Sequence, residues 1–216
     1  MKRQQSGFTL VEIAIVLVII GLLLGGILKG QELINSAKVK NLANDFRVIP
    51  TYIYAYQDKY RSLPGDDSAV VAHLGATATQ ATTSQGNGVI DGAWNSTAAA
   101  DESFLFWQHV RLANLAAGPT LTTDPTYIPT NAVGGKLGIS SMSAGQPWIT
   151  GMTGTYQVCS KGILGKFAKQ LDIQMDDGQT DTGSMRAVPD ATAAPTAATT
   201  TTTIDDAASY TVCVTF

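Results

Sequence analysis

The sequence predicts an α+β fold: a long N-terminal helix, membrane-spanning at first and then amphipathic, packed on a small antiparallel sheet with extra short helices. Three observations predict it. Residues 8–28 are an apolar run, residues 39–60 carry an apolar stripe at helical spacing, and the C-terminal YTVCVTF alternates with a period of two. The chain has 216 residues, enough for one core domain with an appendage. Charged residues are only 14% and the net charge is −3, with no run of Lys or Arg after the first three residues. A nucleic-acid partner is therefore not expected, because a phosphate-tracking surface needs clustered positive charge. Two cysteines, Cys159 and Cys213, and two histidines, His73 and His109, exclude a four-cysteine zinc site, and their separations match no zinc-finger spacing.

Residues 8–28 read FTLVEIAIVLVIIGLLLGGIL, with Glu12 the single formal charge. As a helix this run is about 31 Å long, close to the ~30 Å hydrocarbon core, so it can cross a bilayer once. A secretory signal would have a shorter apolar core, ~7–15 residues, followed by a small-residue cleavage site. GGILKGQELI stands there instead. Lys2 and Arg3 precede the span and predict a cytoplasmic N-terminus with the remainder outside. Glu12 is the anomaly, since a carboxylate costs ~2.5–3.5 kcal/mol near the bilayer centre, less near an end, and is usually retained for a partner. Its own helix dipole returns only ~0.3–1 kcal/mol, too little to account for it.

The fixed order of KRQQSG, then FTLVE, then an apolar helix resembles the cleavage and methylation signal of type IV prepilins and type II secretion pseudopilins. The resemblance implies a pilin-like fold and a prepilin peptidase/methyltransferase that cuts between Gly7 and Phe8 and methylates the new amine. It implies that Glu12 pairs with the N-terminal ammonium of a neighbouring subunit as helices bundle. Physics agrees, because two charges that are costly alone in lipid recover much of the penalty as a pair. The implied partners are copies of the chain and other pilins in a helical filament, and an inner-membrane assembly platform. The implied location is the inner membrane, single-pass, before assembly, and a periplasmic or extracellular filament after it. Residues 1–7 are then a leader, 8–28 the transmembrane and assembly helix, 29–60 its amphipathic continuation and 61–216 a globular domain. One departure is Lys29, which stands where many members carry proline. Gly21, Gly25, Gly26 and Gly30 instead give small-residue spacings that permit close helix approach and weaken the helix by ~1 kcal/mol each.

Past the span, Val39, Leu42, Phe46, Ile49, Ile53, Tyr56 and Tyr60 repeat at three- and four-residue intervals. This stripe reads as the spine of a globular domain, with Tyr52, Tyr54, Tyr56 and Tyr60 partly covering it. Pro50 predicts a kink or short break near residues 47–49. LPGDD at residues 63–67 is turn chemistry, and the stretch to Ala100 reads as loop decorated by short elements. A second helix is expected from Asp101, anchored by Trp107 and stopped at Gly118-Pro119, with His109 a surface or satisfied core histidine. Strands are expected at residues 155–160 and 210–216. A third helix carrying Leu164, Phe167, Leu171 and Met175 lies between them, and Thr-rich residues 191–203 form a low-complexity loop.

Cys159 and Cys213 fall in the two strand-like segments, and an exported domain sits where a disulfide persists. The arrangement is similar to the C-terminal disulfide-bounded loop of pilins; two free thiols are the alternative. GNGVIDG at residues 86–92 resembles the middle of a calcium loop, with Asn87 in a ligand position, Gly88 at the turn, Val89 offering its carbonyl and Asp91 following. Thr83 and Gln85 fill places that usually hold Asp or Asn, and Trp94 stands where a bidentate Glu would close the loop. Asp66, Asp67 or Glu102 would have to supply the missing oxygens. Major pseudopilins hold calcium in a loop after the helical spine, so the resemblance makes calcium a candidate; a glycine-rich hairpin turn is the simpler reading. Asp176, Asp177 and Asp181 read as the solvated end of the third helix.

No nucleophile elbow, phosphate-cradling glycine loop or metalloprotease pair occurs in the sequence, so an enzymatic reading has nothing to attach to. The expected role is a structural subunit of a type IV pilus-like filament. A type II secretion pseudopilin acting as a piston is the alternative within the family. A membrane-tethered extracytoplasmic binding protein, using the same anchor without polymerising, is the alternative outside it.

Overall fold

The structure, a computed structural model, describes residues 10–82, 84–144, 147–190 and 197–216. Helix α1 (Leu10–Tyr60) is a single element of 51 residues. The chain forms two compact units, one ending at Lys38 and one running from Val39 to Phe216. In the first, the large apolar side chains from Leu10 to Leu28 are all exposed. The helix is long and apolar enough to cross a membrane. In the second, the predicted stripe is the buried face: Val39, Leu42, Phe46, Ile49, Ile53 and Tyr56 are buried, and Ala43 joins them. Tyr54 points outward and Tyr60 is only half-buried.

Of the kink or short break expected near residues 47–49, the break does not occur, and α1 runs through Pro50 without interruption. Pro50 has no N–H to give to the Phe46 carbonyl, and its intrinsic penalty in a helix is ~3 kcal/mol. Ile49 and Ile53, fully buried on either side, hold the segment in place. Burial of two such side chains contributes ~1.5–3 kcal/mol each, enough to outweigh that penalty. The Thr51 hydroxyl also donates to the Val48 carbonyl at 2.5 Å.

The sheet consists of β1 (Leu137–Ser141), β2 (Tyr156–Leu164), β3 (Met185–Pro189) and β4 (Ser209–Thr215), in the order β1-β2-β4-β3 with every pair antiparallel. The predicted alternation sorts β4 correctly. Tyr210 and Val212 join the main core with Val158, Ile139, Ala187 and the α1 stripe. Cys213, one residue out of phase, faces a second cluster with Cys159, Trp94, Met142, Ile149, Met152 and Val188. Cys159 and Cys213 are direct cross-strand partners and form the disulfide. Strands β1 and β3 were not expected from the sequence. Each has only five residues, and LGISS and MRAVP carry few of the β-branched or aromatic residues that announce a strand.

Among the described residues the unit also has three short α-helices, α2 (Val70–Leu74), α3 (Glu102–Leu112) and α4 (Gly165–Met175), and a 3-10 turn at Met142–Ala144. Helix α3 is buried along ten of its eleven residues, with Trp107 inside as expected. It stops before the Gly118-Pro119 signal, because Asn114 takes a left-handed conformation (φ 60°) and the Leu115 N–H turns back to the Val110 carbonyl. Asn tolerates that conformation better than other non-glycine residues. Leu115 therefore lies beyond the helix, though still packed on the core. Leu164, expected on the third helix, is the last residue of β2. In the Thr-rich segment, residues 191–196 lie outside the described residues, and residues 201–203 form a turn.

Candidate functional site

Glu12 lies in the first turn of α1, on the exposed apolar half of the helix. Gly7 and Phe8, the expected cleavage and methylation pair, lie outside the described residues. At Gly21, Gly25, Gly26 and Gly30 an added Cβ would meet no atom of the chain. Packing within the chain does not require these glycines.

The expected calcium-loop residues diverge at LPGDD. Gly65 has φ +97°, and a Cβ there would fall 2.5 Å from the Glu102 carbonyl oxygen, so only glycine fits. Its N–H donates to Nδ1 of His109 at 2.9 Å, while Nε2 of His109 bonds the Thr79 carbonyl at 2.8 Å. His109 is fully buried with both ring nitrogens engaged, and burial lowers its pKa and keeps the imidazole neutral. It is the satisfied core histidine the sequence allowed.

The two aspartates after this turn serve different sides. Asp66 accepts from the backbone N–H groups of Asn87 (3.1 Å) and Gly88 (2.8 Å), and its carbonyl accepts from Gly86. Asp67 does not face that loop. One of its oxygens takes the Tyr56 hydroxyl at 2.8 Å and Nδ1 of His73 at 2.6 Å, and the other takes the Ala69 N–H. Burial opposes ionisation of Asp67, but the bonds from His73, Tyr56 and Ala69 prevail and hold its pKa below the ordinary value. The same contact, added to burial, pushes the Tyr56 phenol up.

Within GNGVIDG, the Asn87 amide donates to Asp91 at 2.9 Å and its oxygen accepts from the Val89 N–H at 2.7 Å. The Asp91 N–H donates to Oε2 of Glu102, and the loop is tied to β1 through Ile90 and Ser141. Thr83 lies outside the described residues, and Trp94 is buried in the second apolar cluster. Asn87, Asp66, Asp91 and Glu102 do gather, but Asp67 does not join them, and both Asp66 oxygens and the Asn87 oxygen are already engaged by backbone N–H groups. These residues fit a turn closed on Asp66 better than a calcium cage, which requires six to eight inward oxygens.

Glu102 is 1% exposed and its Oε1 has no hydrogen-bond partner. Burial, opposed by the Asp91 N–H and reinforced by the charges of Asp66 and Asp91, pushes its pKa up to about 7. The folded state thus holds a proton that the unfolded chain releases near pH 4.5, so this group's contribution to stability falls as pH rises from about 4.5 to about 7. Burial likewise raises Asp45 and Asp172 to about 6 each, and they act in the same direction below that pH. Glu102→Gln is expected to remove this group's share of the decline between about pH 4.5 and 7, with a gain at pH 8 of up to about 3 kcal/mol. Thermal melts of both proteins across that range check it, and parallel pH profiles would contradict the assignment.

Residues 2–28 match the prokaryotic N-terminal methylation motif. No curated protein and no solved structure matches the chain. The chain thus carries the N-terminal methylation motif of the type IV pilin and type II secretion pseudopilin family, on a pilin-like α+β fold. Motif and long helix are those of a pilin or pseudopilin subunit generally. The motif implies processing by a prepilin peptidase, assembly with pilins and a membrane anchor.

Proposed function

We propose that this chain is a structural subunit of a type IV pilus-like filament, processed between Gly7 and Phe8 and assembled through α1. The observation that carries the reading is the continuity of the methylation motif with a helix whose apolar half is exposed in its own chain. An apolar surface of that length needs lipid or other helices around it. Glu12 sets the axial register by pairing with the methylated amine of Phe8 on a neighbour, and the glycines of the span let helices approach closely. Lys2 and Arg3 hold the N-terminus in the cytoplasm until the leader is removed.

A type II secretion pseudopilin would share every one of these steps. The filament reading is preferred because the C-terminal sheet is closed by a disulfide across a separation of 54 residues, and because the loop at residues 86–92 closes on its own hydrogen bonds. A tethered binding protein would have no use for the cleavage signal. N-terminal mass spectrometry of the membrane-extracted protein is the test. The expected product begins at N-methylated Phe8, seven residues shorter than the sequence. An intact leader, or cleavage beyond the apolar run, would overturn the reading.

A further inference from the structure

Where α1 ends, the chain opens a polar cleft. Helices commonly close on a left-handed glycine, which has no Cβ to clash. The residue after Tyr60 is Arg61 instead, held in that conformation at φ 56° with its N–H on the Gln57 carbonyl at 2.9 Å. A long side chain there is strained, and strain of this kind persists where the surrounding structure holds the residue for a purpose. Arg61 borders a cavity of about 550 Å³, within the ~300–1,000 Å³ range of pockets that hold organic ligands.

The polar groups around this cavity are uncommitted. Gln57, Arg61, Ser62, Ser68 and Tyr156 line it, and none of their side chains makes a hydrogen bond or ion pair among the described residues. Asp66 also lines it but is 4% exposed, and its carboxylate accepts from the Asn87 and Gly88 N–H groups. It forms no ion pair with Arg61, whose side chain is exposed. Leu63, the aliphatic residue of the lining, is itself buried.

We propose that this cleft binds a saccharide that carries a carboxylate, of the uronic acid class. The planar guanidinium of Arg61 matches a planar carboxylate through two parallel hydrogen bonds. One cation with the Asp66 charge nearby favours a ligand group of single negative charge over a phosphate dianion. The Gln57 amide and the hydroxyls of Ser62, Ser68 and Tyr156 both donate and accept, as sugar hydroxyls do. A peptide would find little apolar surface here for its side chains. All of these residues belong to the unit from Val39 to Phe216, so binding does not depend on filament assembly.

Isothermal titration calorimetry of the full chain in detergent tests this with trigalacturonic acid, EDTA being present so that no metal bridges sugar and protein. Saturable heat is expected. The methyl-esterified trimer keeps the hydroxyls and loses the charge, and should bind at least about tenfold more weakly. Arg61→Gly is the informative variant, because glycine suits this backbone conformation better than Arg does. Its binding should fall at least about tenfold while its Tm stays within about 2 °C of the native value. Lys161→Ala removes an exposed cation outside the cavity lining and should bind as the native chain does. No saturable heat, equal binding of the ester, or undiminished binding by Arg61→Gly would overturn the proposal. So would inorganic phosphate binding as tightly as the trimer, or an equal loss in Lys161→Ala, since either would mean general anion attraction. A loss of binding in Arg61→Gly that comes with a larger fall in Tm would also overturn it, by making Arg61 a structural residue.

Discussion

Replacing Glu12 by Ala should leave the subunit processed and inserted in the membrane but reduce its incorporation into filaments at least tenfold. A carboxylate within an apolar span costs ~2.5–3.5 kcal/mol near the centre and somewhat less toward an end, so removing it makes insertion easier. What the variant loses is the partner-specific term. In a bundle, the Glu12 carboxylate and a neighbour's N-terminal ammonium both lie in low dielectric, where pairing recovers most of what each spent in leaving water. A tenfold change in incorporation requires only about 1.4 kcal/mol, well within the strength of such a pair. Glu12→Gln sharpens the point, because it keeps the shape and a hydrogen-bond acceptor while deleting the charge. Shearing filaments from cells and comparing the sheared and membrane-bound pools checks both variants. Normal filaments from Glu12→Ala would mean that Glu12 serves only its own helix terminus.

The parts of this molecule that were legible in the sequence are those governed by periodicity. The 3-4 spacing from Val39 to Tyr56 reports directly which side of α1 is buried, because the stripe from Val39 to Ile53 meets one core. The two-residue alternation of β4 separates the main core from the disulfide cluster for the same reason. Elements set by partners distant in sequence were not legible. Strand β3 exists because Met185, Ala187 and Val188 find β4, and nothing within MRAVP itself distinguishes it from a loop. Pro50 was over-read, since a local rule on helix breaking cannot include the burial of Ile49 and Ile53 that overrides it. The polar sites divide in the same way. Gly65 and His109 looked unremarkable until folding placed one against the other. Asp66 and Asp67 are equivalent on paper, yet the turn sends one to the loop at residues 86–88 and the other to Tyr56 and His73.

Removing the Cys159–Cys213 bridge should be the most destabilising change available that leaves the fold's apolar packing nearly whole. The bridge links residues 54 apart in sequence and pins β2 to β4, the two central strands of the sheet. In the chain-entropy description, closing a loop of that length removes about 4 kcal/mol of freedom from the unfolded state. Most of this effect belongs to the unfolded chain, so the variant should keep the native sheet while its stability falls. For a chain of this size, 4 kcal/mol corresponds to a decrease in Tm of roughly 10 °C. Both cysteines are fully buried beside Trp94, Ile149 and Val188, so Cys159→Ala with Cys213→Ala adds a cavity contribution to the entropic one. Refolding the native sequence under strong reductant isolates the entropic part, since the sulfur volume stays in place. The expected order of Tm is oxidised native, then reduced native, then the double Ala variant, with the larger gap between the first two. A larger gap between the last two would assign the stabilisation to packing around the sulfurs. A reduced protein melting within a degree or two of the oxidised one would show that strand pairing alone holds the two halves of the sheet together.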